Sequence, residues 1–276
     1  MTDSAVVVLG LPASGKTTYL AALWHSLTSR KVDGRYALVE LLAGNGDYLK
    51  SIANRWASAK SQERTQQEGG RTATISLKSA DGTSFKLMFP DLAGEVFARM
   101  WENREISPSA VELVKAPYVL LFIHSNSIRR AGWVADDEEI GMRPDGNEPK
   151  PWHPRTSPTQ VKLIDLLSSL TEAPLGFGPR KVAVILSAWD TMDIEGHTPE
   201  AFVAANLPML HQFFRHGLPE GWSIKVYGVS AQGADYDDEQ SAQRMLELDV
   251  PAGRIRVIED GKLSHDLTEP LHWLLS

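Results

Sequence analysis

The stretch "VVVLGLPASGKTTYLAALW", Val6 to Trp24, joins a short apolar run to a helical pattern through a turn that holds two glycines, a lysine and two threonines. Val6 to Leu9 is continuously apolar, as a strand buried on both faces of a parallel sheet must be. Beyond the turn, Leu20, Leu23, Trp24 and Leu27 recur at i, i+3, i+4 and i+7, one face of a helix. Gly10 and Gly15 free the backbone to wrap tightly, so that successive N–H groups and the helix N-terminus converge on one point. Such a point attracts an anion.

Gly10-Leu-Pro-Ala-Ser-Gly15-Lys16-Thr17 satisfies G-x-x-x-x-G-K-[ST] between a strand and a helix, the context that this pattern requires. It makes Gly10, Pro12, Ala13, Ser14, Gly15, Lys16, Thr17 and Thr18 candidates for holding a nucleotide's phosphates. Lys16 would neutralise β- and γ-phosphate oxygens, and the Thr17 hydroxyl would be a ligand of Mg²⁺. The competing reading is a glycine turn ahead of a surface helix, with an incidental lysine.

Working outward, "RYALVELL" reads as a strand, and Leu49, Ile52, Ala53 and Trp56 are spaced as a helix face. Ala73, Ile75 and Leu77 alternate with polar residues, Asp81-Gly82 supplies a turn, and Phe85, Leu87 and Phe89 alternate beyond it, which predicts a β-hairpin. "YVLLFI", "KVAVIL" and "SIKVYGVS" are further buried strands, with helical patterns over Val161 to Leu170 and Ala201 to Phe214. The tail "LTEPLHWLLS" predicts a short helix docked by Leu271, Trp273, Leu274 and Leu275. Strands alternating with helices predict an α/β fold of three layers, α/β/α, on a mostly parallel sheet with one antiparallel hairpin strand. Residues 1–276 read as a single domain with insertions at about 35–70, 128–158 and 234–262.

Composition narrows the function. A formal charge of −7 argues against broad binding to a nucleic-acid backbone. The absence of cysteine excludes disulfides, thiolate metal sites and cysteine nucleophiles. Ala5 to Leu9, the longest apolar run near the start, is too short for a membrane span or a signal segment, which predicts a cytoplasmic protein. His124, His153 and His211 lack metal-ligand spacing. Trp24, Trp56, Trp101 and Trp273 sit in apolar helical patterns and read as core.

A second chemical element is Asp91-Leu92-Ala93-Gly94-Glu95, where the hairpin's second strand ends. An aspartate there can hold Mg²⁺ through water from the side opposite Thr17, and Gly94 can offer its N–H to a γ-phosphate. Glu95 can also be read as an acidic residue that stabilises a helix N-terminus.

Taken together, these elements resemble a TRAFAC-class, Ras-like P-loop GTPase. More closely, "GLPASGKTTYLAALW", "FPDLAGEVFARMWENR", "ILSAWD" and "EPLHWLL" resemble the bacterial double-GTPase group. The resemblance implies GTP or GDP as ligand and Mg²⁺ as cofactor. The base-recognition motif falls on Ser187-Ala188-Trp189-Asp190, with Asp190 accepting from guanine and Ala188 standing where the base-covering lysine belongs. A second base motif falls on Ser230-Ala231-Gln232, with the Ala231 N–H facing guanine O6. The switch threonine, a Mg²⁺ ligand, falls on Thr65 first and Thr72 second. Glu95 stands where many relatives carry a water-orienting glutamine, and Pro12 lacks one backbone donor beside the γ-phosphate. Slow hydrolysis follows, with Lys16, Thr65 and Glu95 as the catalytic set and any added arginine from a partner or from Arg64, Arg71 or Arg99. The resemblance further implies a protein partner, either a second GTPase or an effector, in bacterial conflict or anti-phage systems. Two alternatives stay open: a nucleotide-holding pseudo-GTPase, and a P-loop ATPase or kinase whose lid would carry Arg143 and Arg155.

Overall fold

Val6 to Leu9 are wholly buried because β1 (Ser4–Gly10) has a parallel neighbour on each side, β4 (Ser84–Pro90) and β5 (Tyr118–His124), and a helical layer on each face. The structure, a computed structural model, describes residues 4–29, 35–41, 46–62, 72–90, 93–131, 153–191 and 198–276. Nine strands form one sheet in the order β2-β3-β4-β1-β5-β6-β7-β8-β9. The others are β2 (Tyr36–Leu41), β3 (Thr72–Ser79), β6 (Lys181–Ser187), β7 (Ser223–Ser230), β8 (Arg256–Glu259) and β9 (Lys262–Ser264).

Side-chain alternation along the central strands divides the core in two. Val6, Val8, Leu120, Phe122, Ala183 and Ile185 face α1 (Lys16–Ser29), α2 (Gly46–Ala57) and α9 (Glu269–Leu275). Val7, Leu9, Leu121, Ile123, Val184 and Leu186 face α3 (Ala93–Asn103), α4 (Pro108–Val114), α5 (Thr159–Thr171), α6 (Pro199–Asn206) and α7 (Pro208–His216). The remaining helix, α8 (Glu239–Leu246), lays Ala242 and Met245 against the first of these clusters.

The expected hairpin is present. Ala73, Ile75 and Leu77 on β3 and Phe85, Leu87 and Phe89 on β4 are buried, and the turn carries Gly82 at φ 93°. The expected dominance of parallel pairing is met in part. Of the neighbouring pairs among the described residues, β1 with β4, β1 with β5, β5 with β6 and β6 with β7 are parallel, whereas β2 with β3, β3 with β4, β7 with β8 and β8 with β9 are antiparallel. Parallel pairing holds where a helical crossover joins the strands; both edges are extended by antiparallel neighbours.

Two local expectations also change. The helical pattern from Ala201 to Phe214 is two helices, because Pro208 cannot donate an N–H and pushes Leu207 out of the helical region, to φ −134° and ψ 54°. Trp24 and Trp56 are core, but Trp101 and Trp273 are half-buried at its rim, and the Trp101 indole donates to the Pro154 carbonyl at 2.7 Å.

Trp189 is 5% exposed and meets Phe202 edge-on at 5.4 Å, and a Cβ added to Gly228 on β7 would lie 2.6 Å from its ring. Gly228→Ala should therefore destabilise the fold by about 1–3 kcal/mol through overpacking, measured as a lower midpoint in urea with an unchanged slope.

Candidate functional site

The parallel strands end together. Gly10, His124, Ser187 and Ser230 are the last residues of β1, β5, β6 and β7, and their shared edge is where an open α/β sheet places its ligand crevice. The loop from Gly10 to Lys16 crosses that edge with left-handed backbone at Ala13 (φ 57°) and Gly15 (φ 85°) and φ 147° at Gly10. A Cβ on Gly10 would lie 2.6 Å from the Phe122 carbonyl, and one on Gly15 would lie 2.7 Å from Ser187 Oγ, so both positions require glycine. Ala13 takes a conformation that costs a side-chain-bearing residue about 1–2 kcal/mol, strain of the kind held at binding loops.

Hydrogen bonds weld this loop to its neighbours. Ser187 Oγ donates to the Ser14 carbonyl at 2.9 Å, and Ser125 Oγ donates to the carbonyls of Ser187 at 2.7 Å and Ala188 at 3.1 Å. Lys16 folds back over the loop. Its ammonium donates to the carbonyls of Gly10 (3.0 Å) and Leu11 (2.8 Å) and to Ser14 Oγ (3.0 Å). No carboxylate is among these three partners, and burial pulls its pKa from 10.5 down to about 7.

Beside the loop lies a cavity of about 310 Å³, whose lining includes Gly15, Thr18, Ser187, Ala188, Asp190 and Ala231. Asp190 Oδ1 is buried there without a hydrogen-bond partner. A carboxylate oxygen in that state is costly unless a ligand donates to it. Ser230 is buried and its hydroxyl accepts from the Gly233 N–H at 2.9 Å, which shapes the turn behind Ala231. Ala188 is left-handed at φ 54° and only half-buried, while Trp189 points away into the core.

The structure therefore brings together Gly10, Pro12, Ala13, Ser14, Gly15, Lys16, Thr17, Thr18, Asp190, Ser230 and Ala231, with Pro12 and Ala13 exposed on the loop. Gly94 and Glu95 fall in the first turn of α3. Thr65, Asp91, Arg64, Arg71 and Arg143 lie outside the described residues, and Arg99 is exposed on α3. Thr72 opens β3 opposite Pro90 and is half-buried. Arg155, expected on a lid only in the kinase alternative, is paired with Glu102 of α3 at 2.8 Å.

Sequence reading missed His124, Asn126, Ser61, Asp235 and Asp237 as cavity lining. For His124 and Asn126 a signal existed, since they end and follow a buried parallel strand, where such crevices form. Burial lowers the His124 pKa more than the nearby Asp190 carboxylate raises it, which keeps the ring neutral. The Asn126 N–H donates to its Nδ1 at 3.3 Å and so leaves the ring proton on Nε2. No group of three or more metal-ligating His, Asp or Glu side chains occurs among the described residues.

A G-x-x-x-x-G-K-T loop between a strand and a helix at the carboxyl edge of the sheet, with a buried carboxylate on a neighbouring loop, is the arrangement of a P-loop GTPase. The chain belongs to one family of that class: residues 7–274 match the family model described as Double-GTPase 1. No curated protein matches it. Among solved structures it is similar to a bacterial selenocysteine-specific elongation factor at 13% identity, covering 90% of this chain but only 29% of that one, with a TM-score of 0.37. It is also similar to the small GTPase Arl6 of Trypanosoma brucei with a bound nucleotide analogue (12% identity, 89% of this chain and 98% of that one, TM-score 0.39). A third similar structure is the signal recognition particle receptor complex of Chaetomium thermophilum (13% identity, 84% and 92%, TM-score 0.41).

Above pH 7 the nucleotide-free chain holds Lys16 largely neutral; a phosphate placed beside it would restore the charge, so that binding would take up a proton and affinity would fall as pH rises from about 7 towards 10.5. Over the same window the nucleotide-free fold gains stability with pH, because it binds fewer protons than the unfolded chain. Titration calorimetry at a pH of about 8.5, in two buffers of different ionisation enthalpy, should show uptake approaching about one proton per nucleotide, abolished in Lys16→Ala.

Proposed function

We propose that this chain is a Mg²⁺-dependent GTP-binding switch that hydrolyses GTP slowly and acts through a protein partner. The observation that carries the guanine assignment is the buried, unpartnered Asp190 Oδ1 in the cavity beside Gly15 and Ala231. Guanine offers two donors, N1–H and the N2 amine, on one edge, which a carboxylate can accept together. Adenine places a lone pair at N1, and that lone pair would face the same carboxylate with repulsion.

The phosphates belong on the loop. Backbone N–H groups from Ala13 to Thr17 and the start of α1 would bind them, and Lys16 would leave its carbonyl partners for β- and γ-oxygens. Mg²⁺ takes hard oxygen donors and keeps much of its water. Thr17, a hydroxyl in the first turn of α1 next to the cavity-lining Thr18, fits that demand; Asp91 and Thr65 complete the proposed set. When bound, the ion supplies charge neutralisation between phosphate oxygens.

Slow turnover follows from two residues of this chain. Glu95 would orient water with a carboxylate, which adds negative charge where charge already accumulates, and Pro12 withholds one backbone donor. The partner, and the bacterial conflict or anti-phage setting, belong to the same proposal and rest on the family alone.

Titration of labelled GTP and ATP with and without Mg²⁺, followed by phosphate release, tests this. Lys16→Ala should weaken triphosphate binding about 100-fold, and Asp190→Asn should weaken GTP about 10- to 100-fold while improving xanthosine triphosphate relative to it, since that base accepts where guanine donates. Glu95→Gln should speed single-turnover release about 10-fold. A parent protein that prefers ATP overturns the reading; GTP binding without any release makes it a nucleotide-holding scaffold instead.

A further inference from the structure

The cavity has one wall that neither phosphate loop nor base motif supplies. Ser61, just beyond α2, lines it together with Asp237 from the loop after β7, and Ser61 Oγ donates to Asp237 Oδ1 at 2.7 Å. The backbone of Ser61 is itself clamped, because Arg55 of α2 donates to its carbonyl through Nη2 at 2.7 Å and Nε at 3.2 Å. Five residues before Ser61, in α2, the wholly buried Trp56 donates its indole N–H to the Ala231 carbonyl at 2.8 Å. Arg254 locks that contact from behind. Its guanidinium lies 4.3 Å over the Trp56 ring, and its Nη2 donates to the Ala57 carbonyl at 3.1 Å.

Two contacts therefore tie the α2 arm to the loop that faces the base, one at Ala231 and one at Asp237; Ser61, Ala231 and Asp237 line the cavity, while Trp56 holds Ala231 from the core. Their placement answers a deficit on the other side. Ala188 carries only a methyl group where a long side chain would cover the nucleobase, so cover has to come from another element.

We propose that the arm from Trp56 to Ser61 is a clasp that closes the nucleoside end of the cavity and sets how fast guanine nucleotide leaves. This rests on the guanine-nucleotide reading above and deepens it. Trp56 and Ser61 are positioning residues: they hold Ala231 and Asp237 in place, and the loop in turn holds the nucleoside. Each contact opens only when a nucleotide passes, so its loss accelerates escape more than it affects entry.

Displacement of fluorescent GDP in a stopped-flow instrument tests the clasp. Ser61→Ala and Asp237→Ala should each raise the dissociation rate about three- to ten-fold, the worth of one hydrogen bond, with the association rate nearly unchanged. The double variant should be no faster than either single one, because both remove the same contact. Ser61→Thr, which keeps the hydroxyl, should restore the parent rate, and the melting temperature of the nucleotide-free chain should not move with the Ser61 and Asp237 variants. Trp56→Phe, which keeps a ring against Arg254 and removes only the N–H, should speed release likewise. A parent that binds GDP with release unchanged in the Ser61 and Asp237 variants, or changed additively in their double, overturns the clasp alone. A parent that binds neither GDP nor GTP overturns the nucleotide reading and the clasp with it.

Discussion

The contact on which this site depends is the approach of the Gly10–Lys16 backbone to the ends of β5 and β6. No side chain fits between them, since Cβ atoms at Gly10 and Gly15 would strike the Phe122 carbonyl and the Ser187 hydroxyl. Closeness lets Ser187 reach the Ser14 carbonyl, and Ser125 reach Ser187 and Ala188. Asp190 is only three residues beyond Ser187 on the same chain. The glycine-rich end and the Asp190 end of the crevice are thus parts of one hydrogen-bonded unit.

Charge within that unit is deliberately incomplete. Lys16 is an amine whose charge burial disfavours, held by carbonyl dipoles, and Asp190 presents a buried oxygen with nothing donating to it. Each is costly by itself, and a single ligand with an anion at one end and paired N–H donors at the other relieves both. Left-handed backbone at Ala13 and Ala188, neither of which is glycine, adds strain at the same two ends.

The edges of the sheet show where local patterns stop being informative. The β3–β4 hairpin announces itself by strict alternation around Asp81-Gly82. The β8–β9 hairpin carries the same Asp-Gly pair, Asp260-Gly261, here with both residues at positive φ, but its strands are four and three residues long and mostly polar. Strands that short carry no readable period, and what makes them strands is the free edge of β7. Likewise Pro208, legible as a helix breaker, divides a pattern that apolar spacing alone would join.

By itself, the sequence determined the glycine-rich turn between a strand and a helix, the four central strands that read as apolar runs, and the β3–β4 hairpin. These are local: each depends on residue type and spacing within about ten positions, which hydrogen-bond geometry and periodicity are enough to interpret. Tertiary structure alone decided that Trp189 is core while Asp190 faces the crevice, that His124 is held neutral beside it, and that Ser61 and Trp56 reach across to Asp237 and Ala231. Those last pairs are 176 and 175 residues apart in the chain, and no spacing rule joins them. Only the packing of α2 against α1, on the face of the sheet where β7 ends, brings them within hydrogen-bonding distance.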